Sequence, residues 1–256
     1  MSAQASTFSV EANIDILDSE VEDTVVSGTN FAGTYYFKPI TISTVPLEES
    51  AFVKQTSHAY FEKASIEVEG NVGTIAQETT TMGANFIDNG WLLGGQYQEI
   101  TVDNPLGLNG ASLEIIDYRF GRFFNDWLVG VALVTYESEA ESEEAMRYFT
   151  KKFGRLAPGI SYSVSGQYLV REDLTEMLVK ANVYLNKKIV LGGSINTVAF
   201  DDGVTEDVDP GQSAFVQYYV TEEISVRAEI SERNFTSPGQ FDVASKAMKL
   251  SAKIRF

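Results

Sequence analysis

The last ten residues, Ala247–Phe256, read A-M-K-L-S-A-K-I-R-F. Met248, Leu250, Ala252, Ile254 and Phe256 fall on one face of an extended strand; Ala247, Lys249, Ser251, Lys253 and Arg255 fall on the other. Period two without a fault excludes a helix here and separates apolar from cationic side chains across one strand. The same alternation recurs along the chain. Phe8, Val10, Ala12, Ile14 and Ile16 oppose Glu11, Asn13 and Asp15. Phe31, Gly33, Tyr35 and Phe37 make a second apolar face, and Ala64, Ile66 and Val68 a third, with Lys63 opposite. Further segments run through Ile116–Phe120, Ile160–Tyr168, Met177–Leu185, Ala214–Val220 and Ile224–Ile230. The faces of Trp127–Tyr136, Met146–Phe153 and Ile189–Phe200 are ambiguous by periodicity. Fourteen such segments can be counted, or twelve if two weak ones belong to loops.

Composition narrows the function classes. Cysteine is absent, so neither disulfides nor a thiolate metal site can form. A formal net charge of −17 argues against nucleic acid as a partner. No run approaches the ~20 apolar residues of a membrane helix, but barrel strands carry only weak alternating signals. A soluble sandwich also alternates. Charged residues repeated along one strand face would, however, be costly in a packed apolar core and natural in a hydrated lumen. The expectation is therefore a single domain over 1–256, an all-β, closed, antiparallel, up-and-down transmembrane barrel. An even strand number places both chain ends on one side.

The terminal strand, ending on Phe256, resembles the closing strand of bacterial outer-membrane β-barrels. That resemblance implies lipid contact for Met248–Phe256 and a role for Phe256 as an assembly signal read by the barrel-insertion machinery. Gly33-Thr34-Tyr35-Tyr36-Phe37, followed by Pro46-Leu47-Glu48-Glu49-Ser50-Ala51-Phe52, is similar to a signature of a porin family from marine gammaproteobacteria. It implies a bacterial outer-membrane barrel in a bilayer with lipopolysaccharide, passing small hydrophilic solutes, with no catalytic residues.

With the amino-terminus on the inner side, the inner turns fall at 88–90, 124–126, 155–159, 186–188 and 221–222, all short. The outer loops fall at 18–28, 70–77, 101–111, 137–144, 171–173, 201–211 and 232–240, and most are longer. Phe37, Phe86, Trp91, Phe123, Trp127, Phe153, Tyr218 and Phe256 are expected to gather at the inner rim as an interfacial girdle. The connection Ile40–Ser57 breaks the pattern: it should be a short inner turn, yet Pro46–Val53 has room for one or two helical turns.

His58 is the only histidine, and only Ser57 beside it offers a nucleophile, so the pair reads as structural rather than catalytic. No phosphate loop or metal-ligating His pair is present, and the chain is expected to be no enzyme and to need no metal or cofactor. Expected pore-lining residues are Lys38, Lys63, Asp117, Arg119, Arg147, Lys151, Glu176, Lys180, Arg227, Glu229, Lys249, Lys253 and Arg255, with Glu11, Asp15 and Glu67. Two outer loops concentrate acids at the mouth: Glu137, Glu139, Glu141, Glu143 and Glu144 in one, and Asp201, Asp202, Glu206, Asp207 and Asp209 in the other. They read as solvated loop tips, or as an electrostatic filter for cations. The leading function is a porin, a passive diffusion channel for small hydrophilic solutes and ions. The alternative is a non-transporting structural or adhesion barrel whose acidic surface loops bind cations. Oligomeric state is open.

Overall fold

The structure is a computed structural model that describes residues 7–21, 24–41, 45–70, 73–103, 111–138, 141–172, 174–200, 211–236 and 242–256. Fourteen antiparallel strands close into one barrel, each paired with its sequence neighbours and β1 with β14. The strands are β1 (Thr7–Val21), β2 (Thr24–Thr41), β3 (His58–Gly70), β4 (Gly73–Asp88), β5 (Trp91–Asp103), β6 (Ala111–Phe124) and β7 (Trp127–Ser138). They continue with β8 (Ser142–Ala157), β9 (Ile160–Val170), β10 (Leu174–Tyr184), β11 (Ile189–Phe200), β12 (Gly211–Tyr219), β13 (Ile224–Thr236) and β14 (Asp242–Arg255). The seam is regular from Glu11 opposite Arg255 to Glu20 opposite Lys246. Phe256 extends it: its N–H donates to Val10 O at 2.9 Å, and Ser9 N–H donates to Phe256 O at 2.6 Å. Thr7, the first described residue, and Phe256 lie at this end, here termed inner.

The apolar faces point outward. Ile14, Ile16, Phe31, Tyr35, Leu93, Tyr118, Phe120, Leu133, Ile195, Ile230, Met248 and Leu250 are all exposed. An apolar belt around a closed barrel would aggregate in water and is at home in hydrocarbon. The ambiguous segments are resolved by this criterion: Trp127, Val129, Leu133, Met146, Tyr148, Leu191 and Ile195 face out, while Leu128, Ala132, Val134 and Val190 face in. Trp91 stacks on Phe120 at 5.2 Å, with Arg122 over its ring at 4.4 Å, and Lys152 lies over Trp127 at 4.6 Å. These cations snorkel along aromatic faces at the inner rim.

Several expectations need correction. Phe8 is buried inside, because the β1–β2 register shifts between Phe8 and Val10 and turns the start of β1 inward. Phe123 and Phe153 leave the girdle for the interior, where each is almost fully buried. Strand β3 has the opposite facing. Lys63 sits directly across from Phe31, an outward residue, and pairs with Glu78 at 3.1 Å with both side chains exposed. Glu67 shares that outward face, and Glu62 points inward, accepting from Asn30 at 2.7 Å. The strands also run further than expected. Only residues 139–141 separate β7 from β8, and only 22–23 separate β1 from β2, whereas the longest connection, 42–57, is an inner one.

Tight turns close where backbone chemistry permits. Asn89 and Gly90 both take positive φ, 48° and 76°, as a two-residue hairpin turn demands. Inside the wall, Gly130 makes room for a ring: a Cβ there would stand 2.1 Å from Cζ of Phe149, whereas one at Gly166 would meet Thr150 at an ordinary 3.6 Å. Gly130→Ala should therefore lower stability by about 1–3 kcal/mol, the usual cost of overpacking, with Gly166→Ala close to neutral. Urea unfolding of the detergent-folded barrel followed by gel mobility checks this; equal behaviour of the two variants would refute the close packing.

Candidate functional site

The inner connection is the feature that shapes the interior. Pro46 starts a 3-10 turn, Leu47–Glu49, followed directly by the short helix α1, Ser50–Val53. Glu49 N–H donates to Pro46 O at 3.0 Å, and the Ser50 hydroxyl donates to the same carbonyl at 3.2 Å. Gln55 at φ 49° ends the segment, and Thr56 N–H returns to Ala51 O. A segment this short cannot hold itself together by helix bonds alone; its tertiary contacts must do so.

Those contacts lie inside the barrel. Leu47 is buried against Phe8, Tyr36, Ile40, Phe153, Tyr184, Val190 and Tyr219, side chains from strands β1, β2, β8 and β10–β12. Phe52 packs toward the other wall, 5.4 Å from Phe123 and against the Leu92–Phe123–Leu128 cluster of β5–β7. The connection thus bridges the inner end of the lumen from wall to wall.

Its two carboxylates fix it there. Glu48 accepts from the Tyr219 hydroxyl, from Lys253 Nζ at 3.0 Å, from Gln217 Nε2 at 3.3 Å and from Arg255 Nη2 at 3.4 Å. Lys253 and Arg255 are shared with Glu11, at 3.1 and 2.7 Å, so two cations meet two carboxylates. Glu49, almost fully buried, accepts from Tyr184 Oη at 2.5 Å and pairs with Lys151 Nζ at 2.8 Å. Lys151 also lies over the Phe52 ring at 4.6 Å. Burial works against the Glu48 charge, but Lys253 and Arg255 outweigh it and hold the carboxyl well below the usual carboxylate range.

Higher on the wall, buried Asp117 joins Arg119 at 2.9 Å and Arg147 at 2.6 Å, and Arg119 reaches Gln96 at 2.6 Å. Lys249 pairs with Asp15 at 2.7 Å, and Arg227 with Glu229 at 2.7 Å. Glu176 sits across from buried Leu169 and so faces in. Lys180 lines the interior, and Lys38 is exposed near the inner end of β2. Of the residues expected to line the pore, Lys63 and Glu67 stand on the outer face.

The acidic mouth is only partly in view. Glu139, Asp201, Asp202, Glu206, Asp207 and Asp209 lie outside the described residues. Glu137, Glu143 and Glu144 belong to strands rather than to a loop. Glu143 is ion-paired with Arg171 at 3.2 Å, and the Glu141 N–H donates to Ser138 Oγ at 3.1 Å. His58 is held between the Thr56 carbonyl, 3.0 Å from Nδ1, and Asn85 Nδ2, 3.1 Å from Nε2. A carbonyl can only accept, so Nδ1 carries the proton and Nε2 accepts from the amide. The ring is a strut behind the bridge.

Glu48 and Glu49 are the residues that strand periodicity misses. A signal was nonetheless present: two acids set among Leu47, Ala51 and Phe52 in a connection too long for a turn. Apolar side chains at that position must be covered, and at the inner end only the lumen can cover them.

No protein-family sequence model matches the chain, and no curated protein sequence is significantly similar to it. Solved structures share its fold. The outer membrane protein Omp33 of Acinetobacter baumannii aligns over 99% of this chain and 100% of its own, with a TM-score of 0.68 and 17% identity. CdiB, also from Acinetobacter baumannii, aligns over 96% of this chain and 60% of its own, with a TM-score of 0.54 and 7% identity. A bacterial polysaccharide outer membrane secretin aligns over 97% and 98%, with a TM-score of 0.52 and 10% identity. At these identities the likeness is one of fold.

Because the Glu48 carboxyl is depressed, the stability it contributes is complete above the ordinary carboxylate range and is lost only as pH falls well below it. A Ser50→Cys reporter, at a buried position of the bridge in a chain with no other cysteine, should be labelled by maleimide at a slow rate set by bridge opening. After allowance for thiolate reactivity, opening should be flat between about pH 5 and 8. Lys253→Met with Arg255→Met leaves burial as the dominant influence on Glu48. Its carboxyl should then rise, bringing a protonation step and an opening transition into that window. A step in the unaltered protein, or none in the double variant, would contradict the clamp.

Proposed function

We propose that the protein is a bacterial outer-membrane porin through which small hydrophilic solutes and ions diffuse passively, with the bridge at 46–56 as its narrowest point. The observation that carries this reading is the inside-out distribution of polarity. Apolar side chains cover the outside of a closed barrel, while buried ion pairs and hydrogen-bonded amides line the inside. Paired charges at the wall leave a polar surface on which solutes exchange hydrogen bonds with water and protein in turn. Two interior cavities, about 380 and 420 Å³, flank the bridge, and both are lined by Glu48. The fold likeness to Omp33, an outer membrane protein, supports the membrane assignment. The expected surroundings are the bilayer, lipopolysaccharide on the outer leaflet and, for delivery, the barrel-insertion machinery acting on the strand that ends in Phe256.

The bridge itself favours a second reading, a structural barrel that conducts poorly, because it spans the inner end from wall to wall. Single-channel recording in planar bilayers separates the two. The intact protein should show small, well-defined conductance steps, and replacing residues 46–56 by a short Gly-Ser turn should raise them several-fold. No conductance from the intact barrel, with large conductance from the shortened one, would establish the structural reading. Equal conductance in both would show that the bridge is not the constriction.

A further inference from the structure

The two cavities beside the bridge differ in charge balance. The larger, about 420 Å³, is bounded by Arg119, Arg147 and Lys151, each already held by Asp117 or Glu49. The smaller, about 380 Å³, lies against β10–β14 and β1. Its charged lining is Lys180, Arg227, Lys249 and Lys253 against Asp15, Glu48 and Glu229, four cations to three carboxylates. Three of those cations are matched: Arg227 by Glu229, Lys249 by Asp15, and Lys253 by Glu48 and Glu11. Glu11, not itself on the cavity wall, is balanced by Arg255. Lys180 has no carboxylate within ion-pair distance among the described residues, and its side chain stands open in the cavity.

The surroundings of Lys180 are built rather than open solvent. Across the ladder Lys180 faces Ser194, which faces Ser213, and the two hydroxyls are 2.9 Å apart. Phe215, on the next inward position of β12, packs against Gly192 and carries the Arg227 guanidinium at 3.4 Å. The Arg227 charge is thereby fixed by a ring on one side and Glu229 on the other. A volume of about 380 Å³ is within the ~300–1,000 Å³ typical of small-molecule sites.

We propose that this cavity is a binding station for a small monocarboxylate bearing hydroxyl groups, of the sugar-acid type, with Lys180 as its counter-charge. One uncompensated positive charge is neutralised by one carboxylate; a phosphate dianion would overshoot it. The serine hydroxyls and neighbouring amides donate to and accept from hydroxyl groups, which a purely ionic site would not need. As a station along the permeation path the site rests on the porin reading, but as a binding cavity it exists whether or not the barrel conducts.

The test is titration calorimetry of the detergent-solubilised full-length barrel with sodium gluconate, glucose and inorganic phosphate at pH 7. Calorimetry needs no conductance, so its outcome is independent of the channel recordings. Gluconate should bind at least about tenfold more tightly than glucose or phosphate, in line with a charge-assisted hydrogen bond. Lys180→Gln should remove that preference, Lys180→Arg should retain most of it, and Lys63→Gln, on the outer face, should leave it unchanged. Heat-dependent gel mobility confirms that each variant is folded. Equal affinity for gluconate and glucose, tighter binding of phosphate, or undiminished gluconate binding by Lys180→Gln would each overturn the assignment.

Discussion

Everything in this structure depends on the closure of β1 onto β14. In hydrocarbon an unpaired peptide group costs several kcal/mol, so a sheet with free edges has no stable place in a bilayer. The seam from Glu11–Arg255 to Glu20–Lys246, continued by Phe256 onto Val10, removes both edges at once. Once the edges are gone, the two faces of every strand acquire separate solvents. Lipid takes the outer face, and whatever the chain can supply takes the inner one.

What the chain supplies is a set of matched charges and one inserted connection. A carboxylate as deeply placed as Asp117 or Glu49 is tolerable only if its partners are close and numerous. Asp117 has two guanidinium groups, and Glu49 has a lysine and a tyrosine hydroxyl. The bridge also solves an apolar problem. Phe8, Tyr36, Ile40, Phe153, Tyr184, Val190 and Tyr219 would line an empty mouth without Leu47 among them. Polar and apolar contacts thus hold the same eleven-odd residues from opposite sides, which is why so short a helix persists.

How much of this could be read from the sequence follows from the range of each interaction. Alternation is local, so the strands and the inward facing of Lys249, Lys253 and Arg255 are legible from period two, while closure rests on the charges that a packed core would not tolerate. Facing fails where alternation is weak. Strand β3 carries Tyr60, Glu62, Ala64 and Lys63, Ser65, Glu67 on its two sides, and neither set is clearly apolar. Residue type places Phe123 and Phe153 at the lipid boundary and alternation places Phe8 on the outer face, yet all three positions are set by what the bridge needs covered. The clamp on Glu48 joins residues far apart in the chain, and no periodicity encodes such a meeting. Acidic segments also read as loops because charge suggests water; in Glu143 and Glu144 the ladder continues regardless.

The placement of the clamp has a consequence for the order in which the molecule is built. Glu48 lies early in the chain, and its partners Lys253 and Arg255 lie 205 and 207 residues later. Glu11, which shares those partners, stands on the first strand, and Lys253 and Arg255 stand on the last. The cluster of two cations and two carboxylates that holds Glu48 is therefore complete only when the first and last strands meet. Loop-closure entropy has by then already been overcome by the ladder. A connection made near the start of synthesis is thus the last to find its seat, and an occupied seat marks a barrel whose circumference is complete.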